Sequence, residues 1–241
     1  MNANIFKYND EAYYLKQILG LFCHSYNELK TDKLSIPYSR KLIHDQIKKI
    51  KGKKAKLELE DYLRNDLVQS YVNKEKKSFN IENYMFLTGI EETNGFVSTG
   101  DLDIKVLIPT SSFVNDEPYL IFECKRINKL KAKKDYYITG GIERFTNRKY
   151  YPTHNAKIGI MLAFAEMEIL SHKEDFNHII ESLNNQIKTK PYNIKELTNC
   201  DLAFNNITSG ANLFDSVFKR VDDSNIKLVH LFLDYYDLIT E

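Results

Sequence analysis

Residues 100–127 read GDLDIKVLIPTSSFVNDEPYLIFECKRI. Leu102, Ile104, Val106 and Ile108 alternate with Asp101, Asp103, Lys105 and Leu107, the two-residue period of a strand. A polar stretch with Pro109, Ser111, Ser112, Asn115, Asp116 and Pro118 then interrupts the pattern. After it, Tyr119-Leu120-Ile121-Phe122 is an apolar run that flows straight into Glu123-Cys124-Lys125. On a strand, residues i and i+2 share a face, so Glu123 and Lys125 point the same way, as do Asp101 and Asp103. If the two strands pair, two or three carboxylates and an ammonium meet at the end of an apolar sheet. Unpaired charge in such a place is costly, and a bound cation is one of few ways to offset it. The plain alternative is a solvated strand end with an ordinary ion pair. Glu-x-Lys recurs at Glu28/Lys30 and Glu75/Lys77, but in polar or helix-patterned surroundings, where i and i+2 face apart.

Upstream of this stretch, a helix is predicted over 55–72, with Leu59, Leu63, Leu67 and Tyr71 down one side. At about 100° per residue, Glu60 falls within about 50° of the middle of that stripe, whereas Glu58 and Asp61 fall away from it. An acid at the border of a buried stripe either seeks a partner or favours the helix dipole from the first turn. Tyr84-Met85-Phe86-Leu87 begins a first core strand, with a bulge suggested at Gly89 and a tight turn at Asn94-Gly95. Strands over 96–108 and 119–127 follow.

Asp103-Ile104, followed about twenty residues on by Phe122-Glu123-Cys124-Lys125, resembles the core motif of the PD-(D/E)XK, or restriction-endonuclease-like, nuclease superfamily. The resemblance covers roughly residues 55–165. Leu102 departs from it, standing where the superfamily's name has proline, a loosely kept position. The resemblance implies an α/β fold with a restriction-endonuclease-like core: a central mixed sheet flanked by helices. It implies a divalent-metal-dependent nuclease, with Asp103 and Glu123 holding Mg²⁺ (Mn²⁺ as a substitute) and the backbone carbonyl of Cys124 as a further ligand. Lys125 would orient the attacking water or stabilise developing charge. Glu60 matches the carboxylate that a preceding helix often adds to the metal site, and Asp101 is a reserve ligand. The expected substrate is DNA, cleaved to leave 5′-phosphates, in a setting of restriction or anti-phage defence. The alternatives are an RNA nuclease and a catalytically silent module that keeps the fold to recruit a partner. A silent module has no need of Asp103, Glu123 and Lys125 together.

Basic residues cluster beside the motif. Lys125 to Lys134 hold six cations and no acid, and Arg126, Lys129, Lys131, Lys133 and Lys134 are candidate phosphate contacts. The string Tyr137…Gly141-Ile142-Glu143-Arg144-Phe145 resembles a segment found after the core motif in some bacterial defence nucleases. Arg144 there either positions a phosphate through its fork of donors or ties down the helix. Another run, Lys48 to Lys56, holds six lysines and reads as a solvated connector or a phosphate-contacting hinge.

The flanking elements read as follows. Residues 10–23 predict a helix with Asp10 as its N-cap, and a second helix starts near Pro37 and Ser39. Together they form an N-terminal helical arm over 1–54, a candidate for partner binding, ahead of a nuclease-like unit over 55–241. Residues 136–151 look helical and broken near Gly140-Gly141, 157–164 read as a fully buried strand, and 171–188 as an amphipathic helix. Strands over 214–221 and 226–237 close the chain around the turn Asp222-Asp223-Ser224-Asn225. His230 shares a face with Phe232 and Asp234 and reads as a satisfied core histidine.

Composition narrows the classes. The 241 residues are 43% hydrophobic and 28% charged, as in a globular domain with ample chain for a core. A net charge of +1 means that any nucleic-acid surface must come from local clustering. Cys23, Cys124 and Cys200 are odd in number and lack ligand spacing, so neither a disulfide framework nor a zinc site is favoured. No signal peptide and no apolar run near eighteen residues is visible, which points to the cytoplasm and away from membranes. A homodimer or an accessory defence subunit are the partner states left open.

Overall fold

The computed structural model describes residues 3–51, 59–94, 97–109, 119–152, 156–166, 173–200 and 211–241. Helix α1 (Ala3–Ser35) ends ahead of Pro37, which cannot continue it. Strand β1 (Tyr38–Ser39) follows, then α2 (Arg40–Lys51), whose first turn is capped by the Ser39 hydroxyl accepting from the Leu42 N–H at 3.3 Å. Helix α3 (Leu59–Asp66) runs into a π-helical segment, Leu67–Val72, and a short α4 (Asn73–Glu75). Strands β2 (Met85–Asn94), β3 (Val97–Leu107) and β4 (Tyr119–Ile127) come next. Helix α5 (Lys131–Tyr137), the π-helical Ile138–Ile142 and α6 (Glu143–Thr146) lead to β5 (Ile158–Ala165). The chain closes with α7 (Lys173–Lys188), β6 (Asn193–Asn199), β7 (Ala211–Lys219), β8 (Asn225–Asp234) and β9 (Ile239–Thr240).

Seven strands form one mixed sheet in the order β2-β3-β4-β5-β8-β7-β6, and β1 pairs with β9 in parallel. The central β4-β5-β8 triplet is parallel; its flanks are antiparallel. The protein is thus α/β with a helix-flanked mixed sheet. Parallel strands covered on both faces read as continuous apolar runs, which is why Ile158–Ala165 shows no alternation. Ile160, Leu162 and Phe164 join one buried cluster, and Met161, Ala163 and Ala165 the other. The first cluster packs α1 and α3 on the sheet, with Phe22 stacked on Phe122 at 4.5 Å between ring centres. The second packs α5 to α7 on the other face, with Phe176 edge-on to Phe232.

Several expectations need correcting. Asp10 lies inside α1 rather than before it, and α1 is much longer than the segment 10–23. Helix α1 packs on the sheet, with Ile18, Leu19, Phe22 and Tyr26 fully buried in the first cluster. The helix expected over 136–151 begins at Lys131 and gives out at Thr146, with the break at Gly140-Gly141 taking the form of a π turn. Strand β8 stops at Asp234, and the polar edge strand β6 was not foreseen. No bulge falls at Gly89: its φ is +63°, but the β2–β3 pairing keeps register across it, and the irregularity lies at Glu92/Thr93. The turn at Gly95, the lysines at 53, 54 and 56 and most of the 109–118 loop lie outside the described residues.

Packing at Gly159 gives a first test. A Cβ there would lie 2.4 Å from Cε1 of the buried Phe145 ring and 3.0 Å from Leu228 Cδ2. Gly159→Ala is expected to destabilise the fold by about 1 to 3 kcal/mol through overpacking, read as a lowered urea midpoint at unchanged slope.

Candidate active site

Antiparallel pairing of β3 with β4 runs from Leu107↔Tyr119 to Ile104↔Phe122 and stops. One further step of that register sets Asp103 opposite Glu123. The strands part there, and the fork is filled by charged side chains instead of ladder hydrogen bonds. Asp103, Glu123, Lys125 and Glu60 are all buried, with Glu123 wholly inaccessible and Lys125 2% exposed.

Lys125 occupies the centre. Its Nζ lies 2.6 Å from Glu123 Oε1, 3.1 Å from Glu60 Oε1 and 3.9 Å from Asp103 Oδ2. It also donates to the Cys124 carbonyl at 2.6 Å, and the Tyr136 ring lies over it at 5.2 Å. Helix α3 delivers Glu60, whose other oxygen accepts from the Arg126 N–H at 2.8 Å. One turn on, Arg64 Nη1 binds Asp103 Oδ1 at 2.7 Å and Asp61 at 3.0 Å. The second Asp103 oxygen accepts from the Cys124 N–H at 2.7 Å, a side chain standing in for the missing ladder bond. From α6, Arg144 Nη1 lies 3.1 Å from Glu123 Oε1 and 2.7 Å from the Tyr150 hydroxyl, which itself donates to Glu123.

These contacts set the protonation states. Burial alone would lower Lys125, but Glu123, Glu60 and Asp103 outweigh it and hold the ammonium charged. Burial, reinforced by Asp103, pushes the Glu123 carboxyl up to about 8 against the pull of Lys125 and Arg144. Burial likewise raises Glu60. Desolvation and the Glu123 charge raise the Tyr150 phenol, so it stays a donor.

The fork therefore gathers Glu60, Asp103, Glu123, Lys125 and the Cys124 carbonyl; the Cys124 side chain itself points into the core cluster. Asp101 is exposed, and only its carbonyl meets the site, 3.3 Å from the Tyr150 hydroxyl. Arg144 joins the fork through Glu123. The other basic candidates lie outside it. Arg126 is ion-paired with Glu166, Lys129 with Asp175 and Lys131 with Asp135, while Lys133 and Lys134 are half-buried and make no ion pair among the described residues. Two members escaped the sequence reading. Arg64 carried a signal, since it follows Glu60 by one helical turn; Tyr150 carried none.

All the acceptors in the fork are hard oxygens, the donor type that Mg²⁺ prefers. Glu123 Oε1 is buried and touches two cations without an aligned hydrogen bond, leaving lone-pair capacity unused. Among the described residues, however, no three acidic, histidine or cysteine side chains stand ready around one point to hold a metal ion. The ammonium of Lys125 lies between Glu123, Glu60 and Asp103. The donor chemistry fits a divalent cation, and accommodating one requires Lys125 to draw back.

No family model, curated protein or solved structure matches the chain. Among the described residues, no helix is long and apolar enough to cross a membrane.

Proposed function

We propose that the protein is a divalent-metal-dependent nuclease of the PD-(D/E)XK type that hydrolyses phosphodiester bonds in DNA. The observation that carries this reading is the meeting of Glu60, Asp103, Glu123 and Lys125, from three separate elements, in the one place where β3 and β4 part. Asp103, Glu123 and the Cys124 carbonyl would hold Mg²⁺, with Glu60 completing the set. When bound, the metal would acidify water and offset negative charge on the phosphate. Lys125, displaced from the centre but kept charged by its neighbours, would orient the nucleophile and stabilise charge on the phosphate oxygens. Arg144 and Tyr150 fix the Glu123 carboxylate, and Arg64 fixes Asp103, so the acids are held before substrate arrives. Restriction or anti-phage defence is the setting that this activity suits.

One observation favours a second reading. Every carboxylate of the fork already has a cation, as in a nuclease-like subunit that recruits a partner and turns nothing over. Plasmid and duplex RNA, incubated with Mg²⁺, Mn²⁺ or EDTA, separate the two. The nuclease reading expects metal-dependent nicking of DNA that falls at least about a hundredfold in Asp103→Asn and in Glu123→Gln. Equal, background degradation by wild type and both variants would leave the recruiting subunit. Preferential loss of RNA would move the substrate class.

A further inference from the structure

Helix α2 presents Arg40, Ile43, His44 and Ile47 at the i, i+3, i+4, i+7 spacing of one helical face. That face, with Lys41, lines an open cleft of about 580 Å³ whose opposite wall is Leu59, Arg126 and Lys133. Leu59 precedes Glu60, and the backbone N–H of Arg126 binds Glu60, so the cleft begins where the carboxylate fork ends. Its charges fall into two sets. Arg40 and Arg126 are joined behind the wall by Glu166, at 3.1 Å and 2.9 Å. Burial would raise that carboxyl, but the two guanidinium groups hold it below its ordinary range. The side chains of Lys41, His44 and Lys133 have no hydrogen-bond or ion-pair partner among the described residues, and Glu241, paired with Arg40, is the acid on the rim. Ile43, Ile47 and Leu59 supply an apolar floor.

A basic rim over an apolar floor suits a ligand that is anionic at one end and flat and apolar at the other. We propose that this cleft binds one nucleotide unit. Its phosphate would lie on Lys41 and Lys133, with His44 beside them, and its base on the isoleucine and leucine floor. The proposal rests on the nuclease reading in one respect: the unit belongs to the strand being cut and runs on from the fork. The volume of about 580 Å³ is that of a site for one small ligand, so a single nucleotide unit of one strand is the piece it would hold. Helix α2 then becomes the strand-holding part of the protein.

The test is fluorescence anisotropy in EDTA with a labelled single-stranded oligonucleotide, where no metal-dependent cleavage intrudes. Lys41→Glu/Lys133→Glu is expected to weaken binding by at least about tenfold and to lower the salt slope by about 2, at unchanged Tm. Affinity unchanged in the double variant, or no binding by wild type, overturns the proposal. So does equal competition by polyglutamate, which would mark a general anion surface. Cleavage with Mn²⁺ is read separately. Charge-sensitive binding without cleavage keeps the cleft and removes the nuclease; cleavage with unaltered binding does the reverse.

Discussion

Lys125→Met is expected to destabilise the protein by about 3 to 5 kcal/mol, the range seen when one partner of a buried ion cluster is removed. Methionine keeps most of the side-chain volume, so the loss reports the charge and not a cavity. The wild-type ammonium touches Glu123, Glu60 and the Cys124 carbonyl within 3.1 Å. Without it, Arg64 still serves Asp103, and Arg144 with Tyr150 still serve Glu123. Glu60 keeps only the Arg126 N–H on its other oxygen. The variant must therefore protonate an acid, open the fork or take in another cation. Here the metal reading makes a demand that a purely structural cluster does not. Millimolar Mg²⁺ or Ca²⁺ should raise the Tm of Lys125→Met by several degrees more than that of wild type, because the competing ammonium is gone. An equal, negligible shift in both proteins would mean that the fork is an internal ion cluster and no metal site. DNA cleavage by the variant is expected to fall at least about a thousandfold even when metal is saturating, since the group facing the phosphate has been removed.

What the sequence disclosed follows from where physics is local. Strand β4 is bounded by Tyr119 and Ile127, as read, because an apolar run ending in charges has few other uses. Helix α7 was legible through Phe176, Ile179, Ile180, Leu183 and Ile187, all of them buried. Strand β6 was not, since NIKELTN at a sheet edge is mostly exposed and lacks the two-residue alternation. The π turn at Leu67–Val72 was equally hidden, since one inserted residue per turn barely alters the apolar spacing over so short a span, whereas the one at Ile138–Ile142 showed as a break at Gly140-Gly141. At the fork, alternation could assign Glu123 and Lys125 to one face, and the helical wheel could select Glu60. Neither could reveal that the Lys125 ammonium closes the space between the acids, because that depends on a rotamer and on where β3 leaves β4. Tyr150 lies beyond α6, beside Arg148 and Tyr151 with φ of 56° and 57°, and a chain path of that kind is set by tertiary contacts.

The steepest pH dependence outside the fork should come from His230. Its ring is fully buried, with the Tyr137 hydroxyl 2.9 Å from Nδ1 and the Ser216 hydroxyl 2.7 Å from Nε2. Two hydroxyls suit a neutral imidazole, which donates at one nitrogen and accepts at the other. Burial lowers the pKa from 6.5 to about 3, with Asp215 pulling weakly the other way. Between those values the unfolded chain carries a proton that the folded protein lacks, so acid favours unfolding. The stability is whole above pH 6.5 and is lost as pH falls toward 3, at up to about 1.4 kcal/mol per unit. Carboxylates titrate in the same interval, so the comparison must be with a variant. His230→Gln retains a donor and an acceptor but does not titrate. It should be less stable than wild type at pH 7.5 and show a shallower decline between pH 6.5 and 4, the gap between the two proteins narrowing by about 2 to 3 kcal/mol. Parallel declines in urea denaturation across that interval would mean that His230 becomes charged inside the fold, with Tyr137 or Ser216 reorienting to receive its second proton.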